Sequence, residues 1–116
     1  MDINVDELVA DLKDAIKKII NTDVENVRGF SERQLSAIAR QSSLVAKCIA
    51  EGEIREDEKD FFLDSIEAMI KNFANTLRGL LLVTIEKVWN AMVAVVWKAI
   101  DAAIGSAFFV APLEHI

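Results

Sequence analysis

"GLLLVTIEKVWNAMVAVVWKAIDAAIG", residues 79–105, is the stretch on which the fold turns. Nineteen of its residues are apolar, yet charges fall at Glu86, Lys87, Lys98 and Asp101. Three readings compete for it: a membrane span, a helix inside the chain's own core, or a surface for another chain. A span requires about 20 predominantly apolar residues. The longest uncharged runs here are Val88–Trp97, ten residues, and Ala102–Leu113, twelve. Each charge held at mid-membrane costs roughly 2.5–3.5 kcal/mol, so a conventional single span is disfavoured.

The polar and small residues have a spacing of their own. Thr84, Lys87, Asn90, Ala94, Lys98, Asp101 and Gly105 recur every three or four positions. They draw one narrow stripe along an otherwise apolar cylinder, the pattern of a helix that meets water along a single line.

Upstream, Phe62, Ile66, Met69, Phe73 and Leu77 form an apolar stripe of helical period over about residues 56–77. Glu67 and Lys71 stand at the i,i+4 spacing that favours a pair. Only Gly79 separates this segment from the next. One glycine costs about 1 kcal/mol in a helix, so the sequence permits either one long helix or two hinged near Arg78 and Gly79. Pro112 marks the latest end of the last helix.

The front half predicts two more helices. "VDELVADLKDAIKKII", residues 5–20, has Asn4 and Glu7 as a capping box and an apolar stripe through Leu8, Leu12 and Ile16. Asp6 and Glu7 lie in the first turn and Lys17 and Lys18 in the last, each favoured by the helix dipole. "NTDVENVRG" reads as a loop. A helix over about 31–51 follows, capped by Ser31 with Gln34, stapled by Phe30 and Leu35, and stopped by Gly52. Ser42 interrupts its apolar stripe. The expected fold is all-α, a bundle of about four helices. It forms a single domain over 1–116, with a charged hairpin in 1–55 and amphipathic to strongly apolar helices in 56–111.

Composition narrows the function classes. Hydrophobic residues make up 53% of the chain, enough for a packed core. Net charge is −6, and 14 of the 19 acids fall in residues 1–60. Nucleic-acid binding needs clustered Lys and Arg to displace counterions, so none is expected. The same balance disfavours charge-driven docking on an anionic membrane. The lone Cys48 allows neither an internal disulfide nor a structural zinc site. "MDINVDELVADLKDAIKK" lacks the basic and apolar regions of a secretory signal, so a cytoplasmic location is expected. The closing "LEHI" resembles the start of a vector-derived tag, and His115 carries no functional argument.

No catalytic, metal or cofactor site is read. Aligned as a calcium loop on Gly52, the run around "EGEIREDEKD" puts Lys47 and Ile49 where oxygen ligands are required. A di-metal bundle needs Glu-x-x-His motifs, and the single histidine is His115. Cys48, beside Ile49, reads as a small buried hydrophobe. Glu86 reads as an edge residue that reaches water, with Asn90 or Arg78 as partners if it does not.

The functional expectation rests on surplus apolar surface. A helix in a symmetric bundle needs only about three-sevenths of its positions apolar, and residues 79–105 offer more. The surplus face carries Trp89, Val93 and Trp97, with Ala99, Ala103 and Ala107 as a small-residue stripe. The expectation is a non-enzymatic assembly protein whose partner is a second copy of itself through these residues, or another protein. The alternatives are a membrane-active oligomer inserting residues 79–111 and a carrier of a small apolar ligand.

Overall fold

The first helix, α1 (Val5–Ile20), begins where Asn4 takes an extended conformation and its Oδ1 accepts the Glu7 N–H at 2.9 Å. It ends at Asn21, a left-handed residue (φ 61°) whose N–H is donated to the Lys17 carbonyl. Leu8, Val9, Leu12 and Ile16 form its buried stripe. The computed structural model describes residues 2–55 and 57–105.

The loop after α1 contains one 3-10 turn, Val24–Asn26, which buries Val24 in the core. Lys13 ties α1 to this corner. Its Nζ lies 2.9 Å from Glu32 and 3.6 Å from Glu25, and the Glu32 hydrogen bond raises its pKa. The second helix, α2 (Glu32–Ala50), is capped by Ser31, whose Oγ accepts the Gln34 N–H at 3.1 Å. Ser42 is fully buried, and its hydroxyl donates to the Ile38 carbonyl at 2.7 Å. That bond resolves the polar interruption in the stripe, because the hydroxyl is satisfied within its own helix. Phe30 is half-buried, and its ring meets Phe73 edge-on at 6.0 Å.

The chain from 59 to 104 is two helices, α3 (Lys59–Thr76) and α4 (Leu82–Ile104). Leu77 turns extended and is buried, the Arg78 N–H is donated to the Arg28 carbonyl at 2.7 Å, and Gly79 is left-handed (φ 83°). A continuous helix would need the Arg78 amide for its own ladder. Committing it to Arg28 breaks the ladder at the hinge. α3 starts at Lys59 rather than near 56, and α4 starts at Leu82 rather than at Gly79. α4 ends at Gly105 (φ 73°), whose N–H is donated to the Asp101 carbonyl, so the described helix stops well short of Pro112.

The four helices pack up-down-up-down, and no strand occurs among the described residues. α2 and α4 pack against every other helix, whereas α1 and α3 stand at opposite corners. The result is a flattened bundle of 42 × 28 × 18 Å. α4 is the helix in the middle. Its buried and partly buried apolar residues, from Val95 round through Met92, Ile100 and Val93 to Trp97, sweep about 200° of its circumference at 100° per residue. Lys87, Ala94, Lys98 and Gly105 of the polar stripe are exposed, while Thr84, Asn90 and Asp101 are half-buried.

Candidate interaction surface

The face expected to meet a second chain is largely interior. Val93 is buried and Trp97 is 5% exposed, both in the chain's own core. Trp89 is half-buried against that core, as are Ala99 and Ala103. Ala99 and Ala103 line a groove with the start of α1, beside Ile3 and Leu8. Ala107 lies outside the described residues. The burial of Val93 and Trp97 within one chain has a simple cause. The three-sevenths rule assumes a helix with two neighbours, and α4 has three, so most of its surplus apolar surface is used within one chain.

What remains open sits elsewhere on the same helix. Leu81, Leu82 and Val83 are 73%, 71% and 54% exposed at the α3–α4 corner. Leu82 lies on the inward side of α4, in line with Val93 and Ile100. It is exposed because the core seam runs out at this end. Leu82, Ile85 and Trp89 continue the seam as an open groove of about 340 Å³ against Lys71, Ala74 and Asn75 of α3. The Lys71 ammonium lies over the Trp89 ring, 5.7 Å from its centroid, instead of forming the expected ion pair with Glu67. The Trp89 indole N–H finds no acceptor among the described residues. No side chain caps the start of α4, and no acid lies in its first turn. Glu86 also borders this groove and is exposed, as an edge residue should be.

Folding also sorts the charges. Residues 17–33 and 71–87 meet at one end of the bundle, where Arg78 bonds Arg28. They hold seven Lys and Arg against four Asp and Glu. The described residues in 2–11, 47–64 and 98–105 meet at the other end, where the Ser43 hydroxyl reaches the Ile3 carbonyl at 3.4 Å. They hold eleven acids against four bases. At that acidic end Phe61 is 72% exposed, edge-on to Phe62 at 5.3 Å. Both exposed apolar corners were missed in the sequence, because a residue's place at a bundle end depends on where its neighbours stop.

Cys48 is half-buried rather than fully buried, and burial, with Glu53 and Glu51 nearby, pushes its thiol pKa up. The thiolate is therefore disfavoured, the reverse of an activated nucleophile. Among the described residues no three His, Cys, Asp or Glu side chains gather as a metal site. No helix among them is long and apolar enough to cross a membrane.

The chain was compared with protein-family models, curated proteins and solved structures, and none of them matches it.

Proposed function

We propose that this chain is a non-enzymatic helical interaction protein of the cytoplasm that self-associates through the exposed start of its apolar C-terminal helix. One observation carries the reading: Leu81, Leu82 and Val83 form an uninterrupted exposed apolar run beside an open apolar groove. Contiguous apolar surface on a small domain marks an interaction site more often than chance exposure does. The raised pKa of the single thiol, from burial and the nearby Glu53 and Glu51, supports a binding role over a nucleophilic one.

The surface has moved relative to the sequence expectation, from the Trp89–Val93–Trp97 face to the end of the same helix. The test is mass by light scattering over a dilution series, without detergent. The reading expects a mass above 12.9 kDa at high concentration that returns to it on dilution. A mass fixed at one chain throughout refutes it. An apolar compound co-purifying with a chain that stays monomeric would favour the carrier instead.

A further inference from the structure

The two ends of the bundle differ in charge and each exposes an apolar anchor, and from this we infer that copies join head to tail, the acidic end of one seating in the basic end of the next. The inference rests on the self-association reading and adds its geometry. The receiving site is the groove of Leu82, Ile85 and Trp89, lined also by Lys71 and Glu86, at the end of the bundle that carries Arg78 and Lys87. The entering element is the start of α3, where Phe61 stands out beside the exposed Asp60 and Asp64, with Asp57 and Glu58 next to them paired to Arg55.

Three features of the receiving site favour this occupant. The groove continues the core seam, so it accepts an aromatic ring as the core does. The end that holds it carries seven bases against four acids, a net charge of +3 opposite in sign to the acidic end. The uncapped start of α4 presents amide donors at the positive end of a helix dipole, which acidic side chains satisfy. A pairing of the apolar end with itself would instead set two ends of net charge +3, seven bases less four acids, against each other. Like charges set face to face are unfavourable.

The contact is heterologous, with different surfaces on the two copies. Such contacts produce rings if the rotation closes and filaments if it does not. The end face measures about 28 × 18 Å, on the order of 500 Å². Stable interfaces bury about 800 Å² per partner. Association is therefore weak, reversible and salt-sensitive, since screening shortens from about 10 Å at 0.1 M salt to about 3 Å at 1 M.

The experiment uses Phe61→Lys and Leu82→Glu. Both positions are exposed, so each variant keeps the parent's helicity and melt, checked by circular dichroism. Masses are measured by light scattering over one concentration series for the parent, each variant, and an equimolar mixture. The parent's mass rises with concentration and falls as salt is raised from 50 to 500 mM. Each variant alone needs about tenfold more protein to associate, or stays a single chain. The mixture regains mass, because Phe61→Lys retains an intact groove and Leu82→Glu retains an intact acidic end.

If Phe61→Lys associates like the parent while Leu82→Glu does not, the apolar ends pair with each other. Head-to-tail geometry is then overturned, though self-association stands. A parent mass that holds or rises with salt also overturns the charge-matched contact. If the parent is monomeric throughout, both readings fail together. Sedimentation with phosphatidylserine vesicles is run alongside, and binding there by a monomeric parent assigns the basic end to anionic lipid.

Discussion

Replacing Trp97 with Asp, beside the control Lys98→Asp, separates the inner and outer faces of α4 at adjacent positions. Trp97 is 5% exposed on the arc shared with Val93 and Ile100, and Lys98 lies on the exposed stripe about 100° away. Truncating a buried Trp costs about 3–5 kcal/mol. An unpaired carboxyl in that space adds about 3 kcal/mol or more. The sum, about 6–8 kcal/mol, compares with a stability of roughly 6–17 kcal/mol for a chain of this length. Lys98→Asp should stay within about 0.5 kcal/mol. At about 4 °C per kcal/mol, Trp97→Asp should lower the melting midpoint by more than about 20 °C or abolish the transition. Lys98→Asp should shift it by about 2 °C at most. The assay is thermal melting followed by far-UV circular dichroism, at a dilution where the parent is a single chain. A Trp97→Asp midpoint within about 5 °C of the parent would show that α4 is not packed as described, and the energetic reasoning would fail with it.

Gly29→Ala should destabilise far more than Gly79→Ala, although both glycines have positive φ. A Cβ at Gly29 would sit 1.9 Å from the Thr76 carbonyl oxygen, whereas at Gly79 it meets open space. Urea melts should place Gly79→Ala near the roughly 1 kcal/mol of left-handed strain and Gly29→Ala well beyond it. Asn4→Ala removes the acceptor of the Glu7 N–H and should cost about 1 kcal/mol; an unchanged urea midpoint would mean that the cap contributes nothing. Cys48 should be alkylated by iodoacetamide at pH 7.5 more slowly than a free thiol, because a raised pKa leaves less thiolate. The rate should climb with pH beyond the point where a free thiol levels off. Truncation after Arg78 removes one of the two helices that pack on all three others, and residues 1–78 should show no cooperative melt.

Local chemistry in the sequence accounts for most of the helices. The Asn4 and Ser31 caps, the Lys17–Lys18 end of α1 and the apolar stripes of α1 and α2 stand where the periodicity puts them, whereas in α3 the buried line runs through Leu63, Ile66, Ile70 and Phe73 and leaves Phe62 and Met69 half-buried. The polar stripe of α4 also names the side that meets water. The hinge was less legible, because the feature that breaks the helix is a hydrogen bond from Arg78 to Arg28, fifty residues away. The helix count round α4 was illegible for a related reason. Apolar surplus says that a helix is well covered, without saying whether a third helix of the same chain or a second chain covers it. That ambiguity placed Val93 and Trp97 at an interface when they belong to the core. The opposed ends came from pairings distant in sequence. Arg28 joins Arg78 and Ile3 meets Ser43, and only then do the bases and acids separate.

Backbone hydrogen exchange of α4 in the single-chain state tests most directly whether this helix is covered by its own chain. Amides from Val88 to Ile100 should be among the slowest in the protein at a dilution where light scattering gives 12.9 kDa. Leu82 and Val83 should exchange fast there and gain protection only as the concentration rises. Protection of Val88–Ile100 that appears only with association would contradict the account, because α4 would then be covered by another chain.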